Sequence, residues 1–195
     1  IICNSTAYNV VIEKALFPED NKTGNRILLE TYQILLNHGY EFKDSIPISK
    51  TFPYVFLPDS DDDAAELKSS INLNVYATAE NCIDKIIDDY DISDEYSDDE
   101  KRIIAGLRYE LILKDFAYSN DFIFAENIDI ETLIEIKEKS TVLRGVNVVE
   151  AAVREITQGD IIPHEIGTVG PIYADEYDEL KQKGYALNEK KGKSG

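Results

Sequence analysis

The residues able to do chemistry are few and badly spaced for it. Gly192-Lys193-Ser194 has the ending of a phosphate-binding loop, whose backbone amides wrap a phosphate ahead of a helix. The leading glycine of that loop would stand at position 187, where the chain has Leu187, so nucleotide binding is not expected. Two acidic runs approach calcium-loop spacing. Asp59, Asp61 and Asp63 alternate correctly, but Ala64 replaces the turn glycine and Ser70 the bidentate glutamate. Asp89, Asp91, Ser93 and Glu100 come nearer, with Asp94 where the sharp turn needs glycine. We therefore expect solvated acidic loops and neither a metal site nor a cofactor.

Acid–base catalysis would fall to His38 and His164, the chain's two histidines. His38 ends a helical pattern, where a partly cationic ring suits the helix dipole, and His164 follows Ile162-Pro163 in an apparent strand connection. Serine acyl transfer fares no better. Lys22-Thr23-Gly24 and Ser70-Ile71-Asn72 reproduce two short elements of such sites, but they come in reversed order, and the first lies in a predicted turn. The mechanism also needs a serine one helical turn before a lysine, and no Ser-x-x-Lys occurs in the 195 residues. No catalytic residue is assigned.

Composition narrows the class further. With 38 acidic and 20 basic side chains the formal charge is -18, which argues against nucleic acid as a partner. Hydrophobic residues make up 43%, enough for a real core, and the length suits one domain or two small ones at roughly 100 to 200 residues each. No run approaches the roughly 18 to 20 apolar residues of a membrane span. The chain has no methionine and opens on Ile1-Ile2-Cys3, so an excised piece of a longer protein is expected, and the absence of a span here leaves open a membrane helix upstream of Ile1. Cys3 and Cys82 are too few for a disulfide framework and are read as buried or idle thiols.

The elements follow from periodicity. Ala7 to Ile12 reads as a strand, Pro18 to Gly24 as a turn, and Asn25 to Asn37 as an amphipathic helix with Leu28, Tyr32, Leu35 and Leu36 on one face, stopped by His38-Gly39. Pro47, Pro53 and Pro58 keep residues 45–58 extended. Acidic residues 59–63 cap a segment to Ser70, Thr78 caps a helix carrying Ile83, Ile86, Ile87 and Tyr90, and Asp98 to Tyr118 is the longest helical pattern, burying Ile103, Leu107 and Leu111, with Ile104 as a further candidate. Phe122 to Ile128 and Val146 to Ile156 read as strands, with a helix capped by Asp129 between them. Gly167 to Pro171 is a turn-rich link to a helix over 174–183. The aromatics at 52–56 and 122–124 are assigned to the core before an interface.

The last third carries a resemblance. Gly106-Leu107-Arg108-Tyr109-Glu110, Asp115-Phe116, Phe124-Ala125-Glu126-Asn127-Ile128 and Arg144-Gly145-Val146 occur in order. Val153-Arg154, His164-Glu165-Ile166-Gly167-Thr168-Val169-Gly170, Tyr177, Leu180, Lys183-Gly184-Tyr185 and Gly192-Lys193-Ser194-Gly195 follow. Over residues 103–195 the chain resembles the N-terminal module of class B penicillin-binding proteins. The resemblance implies an α+β pedestal: a neck strand at 1–17, a mostly helical head subdomain at 18–139, and a return to the neck at 140–195 leading toward a catalytic domain. It implies structural roles for Arg154, Gly167, Gly170, Gly192 and Gly195. An arginine fork can hold several carbonyls in a β-rich neck, and glycines permit its tight turns.

The function so implied is non-catalytic. The module would position a membrane-anchored peptidoglycan D,D-transpeptidase outside the cytoplasmic membrane, with that transpeptidase domain, other cell-wall synthesis or division proteins, and a second copy of itself as the expected partners. The rival is an acidic, calcium-responsive protein-interaction domain.

Overall fold

In a computed structural model, the structure describes residues 2–156, 168–171 and 190–194. In chain order they form β1 (Ile2–Ile12), α1 (Asn21–Asn37), α2 (Asp61–Ser70), α3 (Ala79–Asp89), α4 (Asp98–Leu113), β2 (Phe122–Ala125), α5 (Ile130–Glu138), β3 (Val146–Ile156), β4 (Thr168–Pro171) and β5 (Lys190–Ser194). The fold is α+β, as expected. It divides into two compact units, Thr6–Ala151 and Ile1–Ser5 with Ala152–Gly195.

In the larger unit β1 is the middle strand of a three-stranded sheet ordered β2-β1-β3. The unbroken apolar run Val10-Val11-Ile12 explains its place, because both of its faces are buried. β2 pairs antiparallel with it, Val11 opposite Ile123 and Ile12 opposite Phe122, with a bulge between Val10 and Val11. After the strand, the Glu13 amide donates to the Gly145 carbonyl at 2.8 Å. Gly145 itself has φ +87, and a Cβ there would lie 2.7 Å from the Phe17 backbone, so no other residue fits without displacing that turn.

Two apolar clusters share α1 and α4 as their common wall. One gathers Val10, Ile12 and Phe122 of the sheet with Leu28 and Leu35 of α1 and Leu107 of α4. The other packs α2 and α3, through Leu67, Cys82, Ile83 and Ile86, against Leu29, Ile104 and Tyr109. Helix starts follow local chemistry. Asp20 accepts from the Thr23 amide at 3.0 Å, and Asp129 from that of Thr132 at 2.7 Å. Thr78 with Asn81, and Ser97 with Glu100, form reciprocal capping boxes. At α2 the Ser60 side chain does not cap, and Asp61, Asp62 and Asp63 meet the positive helix end instead.

Several sequence expectations change. Helix α1 starts at Asn21, not Asn25, so Lys22-Thr23-Gly24 lies in its first turn. Helix α4 ends at Leu113, well before Tyr118, and it buries Ile104 completely while Ile103 stays half-buried. Thr168 to Pro171 is a strand, not a turn, and pairs antiparallel with β5. The helix expected over 174–183 lies outside the described residues.

Candidate functional site

The five positions carried by the resemblance separate into described and undescribed. Arg154 lies within β3. Gly170 pairs with Lys191 and Gly192 with Val169 across the β4–β5 ladder. Gly167 and Gly195 lie outside the described residues, as does His164. The strand at 190–194 places Gly192-Lys193-Ser194 in an extended ladder, where backbone amides cannot wrap a phosphate as a loop before a helix does.

The acidic candidates are dispersed into separate contacts. Asp89 pairs with Lys85, Ser93 accepts from the Glu95 amide, and Glu100 turns back to the Ser97 amide at 2.9 Å. Among the described residues no group of three or more His, Cys, Asp or Glu side chains is arranged to hold a metal ion. His38, at the end of α1, sets Nε2 at 2.7 Å from Oε2 of Glu135 on α5, and Lys139 holds the other carboxylate oxygen at 2.7 Å. Lys139 first, and then His38, keep the Glu135 carboxyl below the usual glutamate range. This cluster ties two helices together and leaves no carboxylate oxygen without a partner. Cys82 is a free, fully buried thiol, and burial pushes its pKa up, which makes it inert.

A surface feature stands out instead at residues 48–57. Ile48 and Phe56 bridge antiparallel, the Ser49 amide donates to the Val55 carbonyl at 2.9 Å, and that of Leu57 to Pro47 at 3.0 Å. The Ser49 hydroxyl spans the tip, donating to the Thr51 and Pro53 carbonyls and accepting from the Val55 amide at 3.1 Å. Beneath lies Arg102, only 2% exposed. It donates to the Ile48 carbonyl at 2.9 Å and the Ser49 carbonyl at 3.2 Å, and pairs with Asp44 at 3.0 Å. The charged fork thus pins the hairpin to α4.

Held this way, the hairpin presents apolar side chains to solvent. Phe52 is 66% exposed, with Val55 and Leu57 also exposed, and the Phe52 ring stacks edge-on against Tyr54 at 5.9 Å. Lys50 and Thr51 form one wall of a cavity of about 280 Å³ whose other walls include Tyr32, Phe42 and Ile103. Acid lies beside the ridge in space, at Asp98 and Asp99, and follows it in the chain. Asp61 to Asp63 open α2 just beyond it, and Asp98 and Asp99 open α4, where the Tyr54 hydroxyl donates to the Asp98 carbonyl at 3.4 Å. Burial, and then the field of Asp98, push the Tyr54 hydroxyl up. The second aromatic segment goes the other way, since Phe122 and Phe124 are core.

Of the described residues that carried the resemblance, Gly106 to Glu110, Phe124, Ile128, Gly145 and Val146 are buried, while Asp115, Glu126, Asn127 and Arg144 are exposed. Gly106 is buried, and a Cβ there would come within 3.0 Å of Asp44 Oδ1 and 3.3 Å of Arg102 Nη1. Tyr109 is core, and Glu110 is buried with Oε1 accepting from the Ser45 amide at 3.0 Å. Asn127 takes φ +53 and donates its amide to Asn9 Oδ1 at 3.0 Å, while the Ile128 amide reaches the Tyr8 carbonyl at 2.8 Å. The family model of the penicillin-binding protein dimerisation domain matches residues 1–195. The chain belongs to that family. Its solved relatives include penicillin-binding protein 2B from two strains of Streptococcus pneumoniae. One is 16% identical with a TM-score of 0.41, covering 99% of this chain and 30% of that one. The other is 17% identical with a TM-score of 0.40, covering 98% and 29%. This dimerisation domain therefore spans less than a third of either chain's length. No protein of curated function matches it.

Within the dimerisation domain, sequence reasoning missed Arg102, Asp44 and Arg108 because buried charge has no sequence signature of its own. The one available signal was that Arg102 and Arg108 fall in a helical stretch beside Ile104 and Leu107, too close to the apolar stripe to lie wholly on a solvated face.

Proposed function

We propose that this chain is the non-catalytic pedestal of a longer, membrane-anchored peptidoglycan D,D-transpeptidase. It would stand on the extracytoplasmic face of the membrane, hold the catalytic domain in position and bind other proteins of wall synthesis or division. The match of the dimerisation-domain model across all 195 residues carries this reading. The chemistry agrees with it. The buried charged groups of the larger unit that are described serve as ties between elements, and the exposed groups best placed for recognition are apolar side chains on a pinned hairpin. An exposed aromatic on a rigid support, as Phe52 is, is the kind of residue interfaces use as an anchor. Acid beside this ridge, at Asp98 and Asp99, suits a partner segment that sets lysine or arginine next to apolar residues.

Fluorescent penicillin tests the division of labour. The longer protein is expected to be acylated, and residues 1–195 alone are expected to take no label, since they contain no Ser-x-x-Lys. Covalent labelling of the chain alone would contradict the reading.

A further inference from the structure

Arg108 is 6% exposed, yet it belongs to none of the ion pairs among the described residues. Its Nε donates to Asn25 Oδ1 at 2.8 Å and its Nη2 to the Asn21 carbonyl at 3.1 Å. Nη1 donates to nothing among the described residues. No carboxylate among them comes within 4.0 Å of the guanidinium. The Tyr90 ring covers it at 4.7 Å, a weaker compensation for a buried cation than an opposite charge. Desolvation lowers its pKa to about 10, against the fields of Tyr90 and Asp20. Asp20 is committed to the Thr23 amide at the start of α1.

The guanidinium opens onto a cavity of about 330 Å³, lined also by Lys14, Asn21 and Tyr90. Lys14, half-buried on its wall, forms no ion pair among the described residues; its Nζ lies 5.4 Å from the Phe116 ring. Glu19 and Asp115 also line the cavity, but both are exposed. Two cations without carboxylate partners among the described residues therefore line a space to which two exposed acidic residues also contribute.

We infer that this cavity is a carboxylate-binding site, with Arg108 Nη1 as the donor at its floor and Lys14 as the second cation. A planar fork of donors matches a planar carboxylate. Glu19 and Asp115 in the lining select against more highly charged anions such as phosphate, which they would repel more strongly than a single carboxylate. The volume is at the small end of ligand pockets, about 300 to 1,000 Å³, so the occupant is a small monocarboxylic acid or the free C-terminus of a polypeptide. The site does not depend on the pedestal reading, because all its groups belong to this chain.

The test follows the Arg108 Nε–H resonance of the ¹⁵N-labelled 195-residue chain at constant ionic strength. The probes are acetate, acetyl-glycyl-glycine, the C-terminal amide of that peptide, and inorganic phosphate. Both acids are expected to give saturable shifts with Kd on the order of 1 mM, with the amide and phosphate at least about tenfold weaker. Equal affinity for the two acids assigns a small carboxylate, and tighter binding of the peptide acid assigns a chain terminus. Lys14→Gln leaves the Asn21 and Asn25 contacts intact and is expected to weaken binding severalfold, while Arg108→Lys abolishes it, read from the Tyr90 and Asn25 amides. Absence of a saturable shift with either acid, an amide or phosphate that binds as well as the acids, or two variants that bind like the parent chain would each overturn the assignment.

Discussion

Helix α4 carries two buried arginines in opposite electrostatic circumstances. Arg102 meets Asp44 at 3.0 Å and two loop carbonyls, so its charge is neutralised where it sits and its donors are spent on holding the 48–57 hairpin. Its one unpartnered nitrogen, Nη1, is sealed from solvent over Gly106. Arg108 meets an amide oxygen, a carbonyl and an aromatic face, has no carboxylate partner among the described residues, and lines a cavity. The same residue type on the same helix is a fastener in one place and a recognition group in the other. What separates them is the presence of a carboxylate, not depth of burial, since both are almost wholly inside.

Breaking the first arrangement should be the more damaging. Arg102→Met strands Asp44 and two carbonyls, and should lower the free energy of unfolding by about 3 to 5 kcal/mol in urea melts. Arg108→Met strands only the Asn25 side chain and the Asn21 carbonyl, with no carboxylate left behind, and should cost about 1 to 3 kcal/mol. Equal losses for the two variants would remove the distinction.

A smaller effect comes from Gly24, which sits under Arg108 in the first turn of α1. A Cβ there would lie 2.8 Å from Arg108 Nη2 and 3.1 Å from the Phe17 ring. Gly24→Ala should cost about 1 to 3 kcal/mol through crowding, and Gly24→Ala combined with Arg108→Met should cost less than the sum of the two. Acid should act more gently and on other groups. Asp20 and Asp129 are held below the ordinary aspartate value of 3.8, and Glu100 below the glutamate value of 4.5, chiefly by hydrogen bonds from Thr23, Thr132 and Ser97. Because these folded-state values are depressed, the carboxylates contribute fully above the ordinary values. That contribution is lost as pH falls through those values and then through the lowered ones. Melting temperature should therefore decline from about pH 5 downward, and Asp129→Asn should flatten the decline.

Much of the scaffold was legible in the sequence. Val146 to Ile156 is a strand with those bounds, and Thr78 and Asp129 cap the helices they were expected to cap, because β-branched runs and capping side chains act locally. Failures came where tertiary packing overrode local preference. Gly24 reads as the end of a turn and Asn25 as the polar start of a helix, yet both are buried inside α1, where Asn25 meets Arg108 and the Tyr90 carbonyl. Thr168 to Pro171 reads as a turn from its glycine and proline, but pairing with Lys190 to Ser194 makes it a strand. The aromatic segments at 52–56 and 122–124 look alike in sequence. Tertiary context alone decides that Phe122 and Phe124 are core, whereas Phe52 is exposed and Tyr54 and Phe56 are half-buried against the α2–α3 cluster.

The central claim is that this domain works by presenting a surface, not by chemistry. The most direct measurement places Val55→Ser and Leu57→Ser together in the longer protein and asks two things of the same cells: labelling by fluorescent penicillin, and rescue of growth when the native copy is depleted. Both side chains are exposed, so stability should change by no more than about 0.5 kcal/mol each. The expected result is full labelling with failed rescue. Full rescue would contradict the account, because the ridge would then be dispensable, and so would lost labelling, because the ridge would then serve the catalytic domain itself.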